Sequence, residues 1–162
     1  MDNSDYRQGI FFGINSGIIT TTGLLAGIAQ TTNNPIVIII SIVSLAISDG
    51  VSEAYSLYIS KKAEEPNDTS HGPLYSFNGL ILTKIITALT FLLPLLFTKS
   101  LKHYKDLSWP LIWSIIVLSI MDYKISKIRK EKMSKYIVPH ILLVVFIMSI
   151  TKFFAYLLSK HE

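Results

Sequence analysis

The stretch that decides the fold is PIVIIISIVSLAISDGVSEAYSLYIS, which runs from Pro35 to Ser60. It exceeds the roughly 20 mostly apolar residues that a helix needs to cross a bilayer. It also carries two carboxylates, Asp49 and Glu53, one helical turn apart. An acid near the centre of a membrane helix needs a partner in the protein or in water. The question is therefore what these two side chains, the acidic pair, are for.

The composition of the whole chain is that of a membrane protein. Of the 162 residues, half are hydrophobic and only 16% are charged, whereas soluble domains carry about 25% charged residues. The net charge of +4 comes from basic residues between apolar runs, as in loops that face an anionic membrane surface. We therefore expect the lipid bilayer, and no nucleic acid, as a partner. The absence of cysteine excludes disulfides and thiolate metal sites.

Hydropathy predicts an all-α membrane protein with one domain of five transmembrane helices. Five stretches have the length and apolar character for a span, at about 9–30, 35–60, 77–98, 107–123 and 136–158. The fourth is the shortest. We expect an integral membrane protein of the cell inner membrane or of an internal, vacuolar membrane.

The basic residues predict the orientation. Five spans put nine of them on one face, namely Arg7, Lys61, Lys62, Lys124, Lys127, Arg129, Lys130, Lys132 and Lys135. The other face receives four, namely Lys99, Lys102, Lys105 and Lys160. The positive-inside rule assigns the richer face to the cytoplasm. This gives a cytoplasmic N-terminus and an external or lumenal C-terminus.

Small residues form a stripe along the first span. Helical spacing puts six of them in one arc of roughly 120°, namely Gly13, Ser16, Gly17, Thr20, Gly23 and Gly27. We call the four glycines the glycine stripe. Such a stripe lets two helix backbones approach closely. Its partner is either a second copy, which would make a homodimer, or another helix of the same chain.

The acidic pair also belongs to a polar face. Helical spacing groups it with Ser41, Ser48, Ser52, Ser56 and Ser60, and we expect this face to meet protein or a water-filled cavity. At about 1.5 Å per residue, Asn15, Ser16 and Lys84 lie in the same cytoplasmic half of the membrane. One layer would then hold two acids, one lysine, an amide and a hydroxyl.

Two interpretations of this layer stand open. In the first, Asp49 and Glu53 resist joint ionisation, so that a divalent cation bound by them displaces a proton. Oxygen ligands suit Fe²⁺, Mn²⁺, Mg²⁺ or Ca²⁺, and Lys84 would couple metal to proton as a counter-charge. In the second, the acids and Lys84 form a static polar lock in a membrane interaction or scaffold protein that transports nothing.

Other polar residues carry weaker signals. Four residues between the second and third spans could capture cations, although a solvated loop is the simpler interpretation; they are Glu64, Glu65, Asp68 and His71. We expect Asp122 at the cytoplasmic interface and His140 as a packing residue. No nucleophile–base arrangement, phosphate loop or HExxH helix occurs in the sequence, so an enzyme is not expected.

Two segments, FFGINSGIITTTGLLAGIA from Phe11 and LAISDGVSEAYSLYISKKAEE from Leu45, resemble the vacuolar iron transporter family. The second segment is most similar to a prokaryotic branch. The resemblance implies five spans with a cytoplasmic N-terminus, dimers formed through the first span, and exchange of Fe²⁺ or Mn²⁺ for protons without a resident cofactor.

The chain departs from that family at three points. Ser16 stands where typical members carry an acid, and Asp49 stands where plant-type members carry a methionine. The helical metal-binding insertion between the second and third spans is missing. Together, residues and resemblance predict a proton-coupled Fe²⁺/Mn²⁺ transporter. Its metal ligands would be Asp49, Glu53, Asn15 and Ser16.

Overall fold

The computed structural model describes residues 3–64, 71–98 and 101–159, and helices account for nearly all of them. The helices are α1 (Asn3–Thr31), α2 (Pro35–Glu64), α3 (Gly72–Thr90), α4 (Leu93–Thr98), α5 (Lys102–Lys105), α6 (Ser108–Arg129) and α7 (Ser134–Ser159). No strand occurs within these ranges. The prediction of an all-α protein is confirmed.

Three of the helices are long and apolar enough to cross a membrane, over Ser4–Thr31, Pro35–Glu64 and Ser134–Leu158. Large apolar side chains lie exposed on their outer faces, among them Ile40 and Ile47 on α2 and Phe146 on α7. Exposed apolar surface on this scale would be unfavourable in water. The structure is therefore consistent with an integral membrane protein.

The third predicted span is not one continuous helix. α3 ends at Thr90, a turn follows, and α4 begins at Leu93. The cause is Pro94, which lacks an N–H and whose ring would clash with the carbonyl of Thr90 in a continuous helix. The break frees the carbonyl oxygen of Phe91, which accepts hydrogen bonds from the hydroxyl of Tyr104 at 2.6 Å and from Nε1 of Trp109 at 3.2 Å.

The helix at the fourth predicted span is longer than that prediction. α6 continues to Arg129, six residues beyond the predicted end at Tyr123. The buried residues of α6 recur at four-residue intervals through Leu118 and Asp122 to Ser126, which is the spacing of one helix face. Asp122 therefore lies on the buried face of α6, and its predicted place at the depth of the cytoplasmic interface stays a prediction.

α1 is the central helix and contacts α2, α3, α5, α6 and α7. It runs parallel to α3, because Gly9 lies against Leu80 and Gly17 lies against Lys84 and Thr87. α7 also runs parallel to α1, because Gly23 and Gly27 of α1 lie against Ile147 and Thr151 of α7. α2 and α6 run the opposite way. Asp5 near the start of α1 forms an ion pair with Lys61 near the end of α2, and Arg7 lines one groove with Lys127 near the end of α6. These directions bring the middle of α2 level with the middle of α3.

The glycine stripe packs within one chain. Gly13 and Gly17 face α3, whereas Gly23 and Gly27 face α7. A Cβ built on Gly13 would lie 2.5 Å from the carbonyl oxygen of Leu80, so no larger side chain fits there. The prediction that this stripe forms the contact between two copies is corrected, because helices of the same chain occupy it. Whether the protein pairs through another surface stays a prediction.

Candidate functional site: a buried lysine between two acids

Lys84 of α3 points at the acidic pair of α2. Its side chain is only 1% exposed, and its Nζ lies 2.5 Å from Asp49 Oδ2 and 2.6 Å from Glu53 Oε2. These are ion-pair distances, although neither contact has the angles of a hydrogen bond. The structure thus brings three of the predicted site residues together, with the lysine shared between both acids.

The acidic pair lies at the edge of the seam between α2 and α3. The buried residues of α2, which include Gly50 and Ala54, form a narrow row at four-residue spacing. Asp49 and Glu53 directly precede these two residues, and each acidic side chain is 27% exposed. A Cβ on Gly50 would lie 3.6 Å from Ile85, so α2 and α3 approach closely here. The lysine reaches the acids from the inside, and their outer edges stay accessible.

The serines of α2 do not share this environment. Ser48, Ser52, Ser56 and Ser60 are exposed, so no other helix of the same chain covers them, and a second copy or a water-filled cavity stays the predicted neighbour of this face. The reason is that the buried row of α2 is narrow, and a step of one residue turns a side chain by about 100°. The hydroxyl of Ser48 donates to the carbonyl oxygen of Ser44 at 2.7 Å, which satisfies it locally. We call these exposed residues the serine row.

Asn15 and Ser16 of α1 contribute oxygen atoms close to this level. Asn15 Oδ1 and Ser16 Oγ are buried and form no hydrogen bond with the described residues. The next residue, Gly17, lies beside Lys84, whose carbonyl oxygen would be 3.2 Å from a Cβ on that glycine. Buried polar atoms without partners are rare in folded proteins, and they leave these two oxygens available to a donor or a cation.

The charges at the site do not cancel. Two ionised carboxylates and one ammonium leave one negative charge, which a proton or a cation can neutralise. Among the described residues, no three Asp, Glu, His or Cys side chains converge as a group of metal ligands. A metal here would therefore be held by two carboxylates supplemented by neutral oxygens such as those of Asn15 and Ser16, which is a ligand set for hard or intermediate divalent cations.

The predicted capture loop is only partly described. Glu64 is exposed at the end of α2, and His71 is exposed where α3 begins, with its ring edge-on to that of Tyr75 at 6.4 Å. Glu65 and Asp68 lie outside the described residues. Cation capture by this segment stays a prediction.

A second buried polar pair was missed by sequence reasoning. Asp122 is 0% exposed, and both of its carboxylate oxygens contact Nδ1 of His140, at 2.8 and 3.0 Å. His140 is thus the partner of a buried acid, in addition to any packing role. The available signal was the four-residue spacing of Leu118, Asp122 and Ser126, which predicts that the buried face of α6 continues past Tyr123.

Comparisons of the chain with protein-family models, with curated proteins and with solved structures gave no match. The resemblance of the residues between Phe11 and Glu65 to vacuolar iron transporters therefore stays an expectation from the sequence.

Proposed function

We propose that this protein is a proton-coupled transporter of a divalent metal cation such as Fe²⁺ or Mn²⁺. Its five membrane-spanning segments would be α1, α2, α3 together with α4, α6 and α7. The N-terminus would be cytoplasmic, because the loops at that end are the richer in basic residues. The alternating helix directions and the apolar exteriors of α1, α2 and α7 support this topology.

The observation that carries the proposal is the position of Lys84 between Asp49 and Glu53, at 2.5 and 2.6 Å. One lysine offsets one acid, so the other is left to take a proton or to share a metal. A divalent ion bound by both acids would repel the ammonium, which must then turn away or lose its proton. Binding of the metal would thus be coupled to the number of protons bound at the site, through the contacts of Lys84 with Asp49 and Glu53.

The remaining ligands would come from α1. Asn15 Oδ1 and Ser16 Oγ are buried and unpartnered among the described residues, and carbonyl and hydroxyl oxygens complete the coordination of such cations in proteins. The partly exposed edges of Asp49 and Glu53 would let an ion approach from the outer side of α2.

Pairing of two chains is also part of the proposal, on a surface other than the glycine stripe. The serine row offers small residues at every fourth position on the exposed face of α2, which permits close helix approach. Because the chain lacks cysteine, Ser52→Cys introduces a unique thiol. Oxidation in membranes should crosslink this variant as a dimer but not Leu142→Cys, on the exposed face of α7. Equal crosslinking of both, or of neither, would argue against this surface.

A static polar lock is the second candidate, and one specific observation favours it. Lys84 already contacts both acids at ion-pair distance, as a purely structural bridge between α2 and α3 would. In that case the protein would be a membrane interaction or scaffold protein, and neither acid would exchange its partner.

Transport distinguishes the two candidates. Purified protein in liposomes with an internal pH dye would be offered Fe²⁺, Mn²⁺, Mg²⁺ and Ca²⁺ in turn. We expect Fe²⁺ or Mn²⁺ uptake with alkalinisation of the interior, lost in Asp49→Asn and in Glu53→Gln. Asp5→Asn is the matched control, because it removes an acid from the ion pair with Lys61 at the end of the bundle. Absence of uptake by the wild type would favour the lock, and equal uptake by all variants would contradict the role of Asp49 and Glu53 as metal ligands.

A further inference from the structure

We propose that a groove between α1 and α6 binds an anionic phospholipid. The groove has a volume of about 400 Å³, within the range of small-molecule sites. It lies where the N-terminal turns of α1 meet the C-terminal turns of α6. Its walls are formed by Arg7, Ile10 and Phe11 from α1, and by Lys124, Lys127 and Ile128 from α6. We call it the basic groove.

Three cations surround the basic groove. Arg7, Lys124 and Lys127 are all exposed, and Lys124 and Lys127 form no ion pair with another described residue. Nζ of Lys127 lies 5.4 Å from the ring centroid of Tyr123, a cation–π contact that holds the ammonium at the groove. The nearest acid along α1, Asp5, is already paired with Lys61. Lys124 and Lys127 therefore give the groove a positive charge that an anion can balance.

The floor of the groove is apolar. Ile10 and Phe11 follow Arg7 by three and four residues, so they lie on the same face of α1 and further into the bundle. Ile128 follows Lys124 by four residues and completes the opposite wall. A phosphate group alone would match the cations but leave this floor uncovered. A phospholipid carries its anion on an apolar chain and matches both parts.

Another copy of this protein is a poor occupant. In a two-fold dimer the same surface meets itself, so the three cations of one chain would face those of the other. Basic pockets between membrane helices on the cytoplasmic side favour anionic lipid headgroups for the same electrostatic reason. The inference requires α1 and α6 to lie in a bilayer, and it does not depend on metal transport.

The test uses the full chain in a non-ionic detergent. Native mass spectrometry would measure the phospholipid retained from equal mixtures of phosphatidylglycerol and phosphatidylcholine with identical chains. We expect preferential retention of phosphatidylglycerol by the wild type. Each lysine near an anionic lipid contributes roughly a fivefold change in affinity, so Lys124→Gln with Lys127→Gln should bind about 25-fold more weakly.

A matched double variant, Lys62→Gln with Lys132→Gln, removes two charges from the same end of the bundle but outside the groove. It should retain phosphatidylglycerol as the wild type does, and an equal loss would overturn the site. A third measurement adds soluble glycerol phosphate to the wild-type protein as a competitor of phosphatidylglycerol. Displacement of the lipid at equal concentration would identify a free-anion site and overturn the proposal.

The selectivity for an anionic phospholipid is also tested without the variants. Should the groove variant fail to fold, the wild-type protein still tests whether an anionic phospholipid is preferred. Equal retention of phosphatidylglycerol and phosphatidylcholine contradicts the proposal. Selective retention of phosphatidylglycerol that glycerol phosphate cannot displace supports it.

Discussion

Nδ1 of His140 lies 2.8 and 3.0 Å from the two carboxylate oxygens of the fully buried Asp122. The pair joins α6 to α7 near the end of the bundle that also holds the basic groove. With the carboxylate ionised, Nδ1 must carry the hydrogen that it donates. A buried acid is tolerated only when it is paired, so this contact favours the packing of α7 against α6.

The Asp122–His140 pair predicts a stability coupling. His140→Leu leaves Asp122 buried without its partner and should lower the free energy of unfolding by about 3 kcal/mol. The double variant Asp122→Leu with His140→Leu replaces the pair by apolar side chains and should recover most of that loss. Thermal unfolding in detergent of both single variants and the double variant measures the coupling. Additive losses would show that the two side chains act independently.

Lys84→Met separates transport from the polar lock. In a transport site the variant still folds, because the accessible acids can take up protons, and metal binds more tightly because its competitor is gone. A static lock predicts a loss of about 3–5 kcal/mol of stability and unchanged metal affinity. Thermal stability and metal affinity of the same detergent sample distinguish these results.

The control for that experiment is Lys61→Met. It removes the lysine of the Asp5 ion pair at the end of the bundle and should change neither metal affinity nor metal release. Tighter metal binding in both variants would mean that any lost positive charge has this effect, and the specific role of Lys84 would be wrong.

Two glycines should respond oppositely to alanine. A Cβ on Gly9 would overlap the backbone oxygen of Ser76 and lie 2.9 Å from the amide nitrogen of Leu80, so Gly9→Ala should destabilise by about 2–3 kcal/mol. Gly50→Ala meets only Ile85 at an ordinary contact distance and should stabilise α2 by about 0.5–1 kcal/mol. Thermal unfolding in detergent compares them, and similar melting temperatures would refute the packing of α1 on α3.

The end of α6 offers a stabilising substitution. Lys130 has φ 55°, in the left-handed region, while the amide of Glu131 donates to the carbonyl of Ser126 at 3.0 Å. Glycine adopts this conformation without steric cost, so Lys130→Gly should raise stability by about 1 kcal/mol. Lys130→Ala removes the same side chain but keeps the strain, and thermal unfolding should show no gain. A gain in both would assign the effect to the lost charge.

Local sequence signals predicted most of the helices. Apolar runs identified α1, α2 and α7 because a helix that faces lipid must be apolar along its length. Local sequence also contained signals for the break at Pro94 and for the extension of α6 to Arg129. The first is the backbone chemistry of proline, and the second is the four-residue spacing of Leu118, Asp122 and Ser126. An average of hydropathy over a window of residues does not show a single proline or a four-residue spacing.

By itself, the sequence determined that the chain is helical and apolar, and that Asp49, Glu53 and Lys84 need a partner in the protein or in water, because these follow from residue chemistry and helical period. Only the tertiary structure decided which faces meet. In the tertiary structure the glycine stripe faces α3 and α7, the serine row is exposed, and Asp122 pairs with His140. Such contacts join residues far apart in the chain, and they follow from how all the helices pack together, which no single helix specifies.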